Sequence, residues 1–194
     1  MYRSVCYINF MKLKLLLPIL FVVYSCSQDA SIDRNDLIEK AGAPLLNGLG
    51  SHSFTISSKV EGVQEYFNQG LIMAFAFNHA ESIRSFKAAQ KLDPNCAICF
   101  WGEALALGPN INVTSDGKAI MSPQERLDAF ERTNKAISLI EFASPKEKDF
   151  ILTLKSRYNG DVNSPRVPLD IAYAEAMEAL SFKYPDDTDA ASLY

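Results

Sequence analysis

From residue 57 onward, apolar positions recur every three to four residues, the period of a helix with one buried face. Val63, Tyr66, Phe67, Gly70 and Leu71 form one such stripe, and Ile83, Phe86, Ala89 and Leu92 the next. Later stripes are Leu127, Phe130, Thr133, Ile137, Ile140, and then Leu169, Tyr173, Ala176, Leu180. Helix-start chemistry precedes most of them. Ser58 with Glu61 and Asn78 with Glu81 have the spacing of a capping box, a side-chain oxygen at the N-cap and a carboxylate three residues on. Ser122-Pro123 and Ser144-Pro145, followed by Glu125 and Glu147, add proline at the first helical position, where its missing N–H costs nothing. The pattern predicts helices over about 58–76, 79–92, 96–107, 122–142, 145–158 and 168–183. Only SFTIS, residues 53–57, alternates like a strand. The fold class expected is all-α.

The N-terminus has a different pattern. Lys12 and Lys14 precede an apolar run from Leu15 to Tyr24, too short for a bilayer span of about 20 residues but suited to a signal peptide. Val23-Tyr24-Ser25-Cys26 resembles a bacterial lipobox, which implies cleavage before Cys26 and acylation of that residue. The alternative is an ordinary cleaved signal with Cys26 incidental. Residues 1–25 are read as signal peptide, with 1–10 as a mis-called upstream start before Met11. Residues 26–50 are read as lipidated Cys and polar tether, and 51–194 as the helical body.

Composition changes the picture little. The chain is 194 residues, 48% hydrophobic and 22% charged, enough for one globular domain. Without residues 1–25 it carries 16 basic against 23 acidic residues, and it has no basic run. A nucleic-acid partner is therefore not expected, and membrane attachment rests on acyl chains at about 0.8 kcal/mol per buried CH₂.

Paired helices with short turns invite a search for repeats. Val63 to Cys96 resembles a 34-residue tetratricopeptide repeat, through Tyr66, Gly70, Ser82, Phe86, Ala89 and Pro94 in the motif's order. Gln69 and Met73 depart from it, standing where Leu and an aromatic are usual. A second unit begins at Ala97, with Phe100 and Ala104 in motif positions; it is interrupted by residues 108–122 and resumes as LDAFERTNKAISLI. A third, looser unit runs from Pro145 to Pro185. Residues 51–194 together resemble a group of bacterial tetratricopeptide lipoproteins or secreted proteins. That resemblance implies antiparallel helix pairs stacked as a right-handed solenoid, and a cell-envelope location on the periplasmic or outer-membrane side. It implies no reaction. TDAASLY looks like the start of a further helix without a polar cap, so the chain is expected to be an N-terminal fragment of a longer array.

In such repeats the first helix of each pair lines a concave groove. The matching positions are Gln64, Phe67, Leu71 and Phe75, then Ile98, Trp101 and Leu105. Phe67 and Trp101 are candidate anchors for a protein or peptide partner, since aromatics dominate binding energetics. The alternative is that they pack against residues 44–56 or a neighbouring helix.

KLDPNCAICFWG, residues 91–102, holds the one C-x-x-C. Covalent haem would need His where Phe100 stands. A thioredoxin-like site would follow a strand, and none is expected before Pro94. A metal set of Cys96, Cys99, His52 and His79 lacks zinc-finger spacing, and the helix from His79 to Cys96 separates those two by about 20 Å. A disulfide is feasible, because residues i and i+3 of a helix lie about 5–6 Å apart and an exported protein meets oxidising conditions. The preferred reading is two free cysteines packed at a helix seam, with the disulfide as its rival. The sequon Asn112-Val113-Thr114 is not expected to be used, and Asp93, Asp186 and Asp187 read as turn and cap residues. With no Gly-rich phosphate loop, G-x-S-x-G or H-E-x-x-H, no cofactor, metal or catalytic residue is assigned. The function expected is a lipid-anchored scaffold for a protein or peptide partner. The alternatives are a metal- or redox-linked envelope protein using Cys96 and Cys99, and the helical part of a longer enzyme.

Overall fold

A computed structural model describes residues 33–109, 114–115, 118–119 and 121–194. Residues 1–25 and Cys26 lie outside them, and so do the lipobox and signal-peptide expectations. Among the described residues the chain forms α1 (Arg34–Ala41), α2 (Val63–Phe75), α3 (His79–Leu92), α4 (Ala97–Leu107), α5 (Pro123–Ser138), α6 (Pro145–Leu154), α7 (Arg166–Lys183) and α8 (Thr188–Leu193). Two-residue strands β1 (Thr114–Ser115) and β2 (Lys118–Ala119) pair antiparallel, Thr114 opposite Ala119. The fold is all-α.

The tether expectation fails for residues 33–50. α1 is a folded helix packed on α3, with Leu37, Ala41 and the following Ala43 buried. Gly42 closes it in the left-handed region, its N–H reaching the Ile38 carbonyl at 2.8 Å. The start of α2 moves as well, because Ser58 does not cap it. Ser58 Oγ donates instead to Asp93 Oδ2 at 2.6 Å. Gly62 sits before α2 at φ 83°, and a Cβ there would fall 2.4 Å from Leu37 Cδ1. Only glycine gives both that backbone angle and room for α1.

The serine–proline caps form as expected. Ser122 with Glu125 and Ser144 with Glu147 are complete capping boxes with proline at N1. Asn78 makes half of one, accepting from the Glu81 N–H. The expected 122–142 helix ends at Ser138 and tightens into a 3₁₀ turn over Ile140–Phe142, since Pro145 holds Ser144 extended (ψ 163°). The 145–158 helix likewise ends at Leu154, followed by the 3₁₀ turn Lys155–Arg157.

Each helix from α2 to α5 packs on the next; α2, α4 and α6 also touch in series, and α7 packs on α6. Phe86 of α3 explains the close approach of α2 and α4. A Cβ at Gly70 would lie 2.9 Å from its ring, and one at Gly102 would lie 2.2 Å from its Cε1. Two glycines therefore leave the space that one phenylalanine fills.

Candidate functional site

The residues assigned to an open groove are not open. Phe67, Leu71, Ile98, Trp101 and Leu105 are buried, Trp101 with 2% of its surface exposed; Gln64 and Phe75 are half-buried. The cover is the chain itself. Residues 53–57, expected as a strand, have no strand partner among the described residues and run as an extended strap. The alternation is real: Phe54 and Ile56 turn inward while Ser53 and Thr55 stay exposed. Phe54 meets Phe67 of α2, Trp101 of α4 and Phe150 of α6, with ring centroids at 5.7, 6.4 and 5.1 Å. Lys146 Nζ lies 4.2 Å from the centre of the Phe54 ring.

What a sheet would have supplied to the strap's backbone comes from side-chain carboxamides on α2. Gln64 donates to the Phe54 carbonyl at 2.9 Å and accepts from the Ile56 N–H at 3.1 Å. Asn68 accepts from the Phe54 N–H at 3.3 Å and donates to Ser53 Oγ at 3.0 Å. Gln69 treats the preceding segment the same way, accepting from the Leu46 N–H (2.7 Å) and donating to the Pro44 carbonyl (3.0 Å) and Ser85 Oγ (2.9 Å). These three bonds give Gln69 a structural role that an apolar side chain could not fill. At the end of the strap, Ser57 N–H donates to Glu147 at 2.9 Å and Ser57 Oγ donates to it too, so the α6 capping box grips the strap. Glu147 is buried but accepts every donor aimed at it, as a buried carboxylate must.

Sequence reasoning missed Phe54, Asn68, Phe150 and Glu147 as members of this cluster. Two signals pointed to it: the SFTIS alternation, and polar carboxamides on a helix face otherwise destined for burial.

At the other end of α3, Cys96 and Cys99 are joined by a disulfide with Cα atoms 5.3 Å apart. The preferred free-thiol seam is therefore corrected in favour of its rival. The seam position is right: both residues are buried, Cys96 capping α4 and Cys99 within its first turn. The bridge withdraws both thiols from metal binding, and the structure does not bring the histidines to them. His52 pairs with Asp189 at 2.9 Å, and His79 Nδ1 lies 2.9 Å from the Ala106 carbonyl. No cluster of three or more metal-ligating side chains occurs among the described residues.

Burial and charge tune the remaining ionisable groups. Burial pushes Asp189 above the usual carboxylate range, against the pull of His52. Asp187 is also desolvated, but Lys146 and the Ala190 N–H outweigh this and hold it low. Burial raises Tyr158 and pushes Tyr173 up to about 12, despite Arg157 beside both. Asp187 caps α8 as expected, accepting from Ala190 N–H at 2.9 Å, and Asp93 serves its turn by accepting from Asn95 N–H at 3.0 Å.

No protein-family model, curated protein or solved structure matches the chain. No helix among the described residues is long and apolar enough to cross a membrane.

Proposed function

We propose that this chain is a tetratricopeptide-type scaffold, held at the bacterial cell envelope through a lipidated Cys26, that binds another protein on the exposed face of α7. Support for the repeat architecture comes from the succession of packed helices and from the close approach of α2 and α4 around Phe86. The groove candidates on α2 and α4 are covered by the chain's own strap, which favours a partner surface elsewhere. One observation carries the choice of α7. Val167, Ile171 and Phe182 fall within about 60° of one another around the helix, with Glu178 on the same side and about 16 Å of axis between Ile171 and Phe182, and Phe182 is 77% exposed. Apolar side chains lined up on one face are a mark of an interaction surface, whereas single scattered ones are ordinary.

The test is in-cell crosslinking of the full chain beside an Ile171→Glu/Phe182→Glu variant, with acyl-chain labelling of Cys26→Ala. Surface changes of this kind alter stability by about 0.5 kcal/mol or less, so loss of a crosslinked partner reports the interface. Loss of both label and membrane fractionation in Cys26→Ala supports the anchor. Unchanged crosslinks and fractionation in both variants refute the proposal.

A further inference from the structure

The disulfide lies where a staple would achieve little. Cys96 and Cys99 fall in one helical turn, already joined by the Cys99 N–H to Cys96 carbonyl bond at 3.0 Å. Chain-entropy stabilisation grows with the length of the closed loop, and this loop is the shortest a helix allows. Its surroundings are those of a reactive group instead. Cys96 lines a cavity of about 260 Å³ together with Lys59, Ser58, Asp93 and the half-exposed Phe142. Cys99 does not line it and has no exposed surface, against 5% for Cys96. The two residues are therefore unequal: Cys96 lines the cavity, and Cys99 is enclosed in the core.

The charges around the cavity do not oppose a thiolate as strongly as their number suggests. Asp93 already accepts from Ser58 Oγ and the Asn95 N–H. Glu147 is engaged by Ser57 and Ser144. Lys59 adds a cation at an exposed position on the wall. Cys99 sits in the first turn of α4, at the positive end of the helix dipole, which favours a thiolate.

We propose that Cys96–Cys99 is an exchangeable disulfide that oxidises a peptide dithiol entering this cavity. A thiolate of the substrate attacks Cys96 Sγ. The Cys96–Cys99 bond breaks, its electron pair leaves on Cys99 Sγ, and a mixed disulfide joins the substrate to Cys96. The substrate's second thiolate then attacks its own sulfur in that mixed disulfide and releases Cys96 as thiolate. The substrate leaves with one new S–S bond, having given two electrons to the protein and its two thiol protons to the two cysteines or to solvent. A small-molecule disulfide returns the protein to its oxidised form by the reverse exchange.

The experiment uses the full chain in detergent. The wild-type protein is mixed with a peptide dithiol under native conditions, and free thiols are counted by maleimide gel shift while the far-UV dichroism melt is recorded. Exchange without unfolding is expected, with two thiols gained per chain and the helical signal kept. In Cys99→Ser, Cys96 should form a stable mixed disulfide with a one-cysteine peptide; in Cys96→Ser, Cys99 should react at least about ten-fold more slowly, as an inert buried thiol does. A bridge that is reduced only in urea overturns the proposal, and this arm needs no variant to fold. Loss of the helical signal on reduction overturns it too, as does equal reactivity of Cys96 in Cys99→Ser and Cys99 in Cys96→Ser.

Discussion

Phe54→Ala is the most informative perturbation, because one side chain joins three helices to the strap. Only 1% of Phe54 is exposed, so nearly the whole ring is transferred from water on folding. That transfer is worth about 1.5–3 kcal/mol. Ring pairs with Phe67, Trp101 and Phe150 add to it, of which the near-perpendicular contact with Phe150 at 5.1 Å is the tightest. Measured Phe→Ala changes in cores run about 3–5 kcal/mol, and a loss of about 4 kcal/mol is expected here. This is a large share of a total stability of about 5–15 kcal/mol. The strap can also lift off as a unit, which sets a ceiling on the loss. Urea unfolding at 25 °C, followed by far-UV dichroism, gives the free energy. Trp101 is the only tryptophan and lies against the substituted ring, so its emission reports the site separately. A loss below about 1 kcal/mol with unchanged Trp101 emission would refute a docked strap. A red-shifted emission with the helices intact would show the strap released and the aromatic floor uncovered.

Three further outcomes follow from neighbouring contacts. Gln69→Leu leaves the Leu46 N–H without its acceptor, and should lose about 1–3 kcal/mol in the same urea titration. Gly102→Ala places a Cβ 2.2 Å from the Phe86 ring and should cost about 1–3 kcal/mol by overpacking, much of it recovered by Phe86→Leu, as a double-mutant cycle would read. Asp187 is held below the usual carboxylate range, so its charge stabilises the fold above about pH 4 and the contribution disappears as pH falls through the lowered folded value. Thermal melts should accordingly separate wild type from Asp187→Asn at neutral pH and converge in acid.

Helices with a periodic apolar face and a proline-backed cap were legible from sequence, because both signals are local. His79–Leu92 was located to the residue, and the caps at Ser122 and Ser144 formed with their reciprocal bonds. Ser58 misled for a physical reason: its spacing to Glu61 fits a cap, but Gly62 is needed at φ 83° beside Leu37, which moves the helix start to Val63. α1 was missed because eight residues with four charges read as solvated chain, and only Leu37 and Ala41 anchor it. The groove candidates lie on α2 and α4, both expected as helices, but what covers them is a tertiary fact. Local pattern does not reveal that Phe54 reaches Phe150, or that carboxamides replace a neighbouring strand. The disulfide was only the rival reading from sequence, since i and i+3 cysteines also suit a free pair packed at a helix seam.

The strap also sets an order of events during synthesis. Ser57 must find Glu147, 90 residues later in the chain, and His52 must find Asp189, 137 residues later. A linear stack of helices grows from the N-terminus with each unit resting on the last. Here Phe54 leaves the ribosome long before its α6 partner Phe150 exists, so its cluster with Phe67 and Trp101 stays open on one side while the intervening helices are made. Non-local closure of this kind slows folding and leaves sticky surface exposed in the meantime. The nascent chain is thus a natural client for a holding chaperone until residue 150 has emerged.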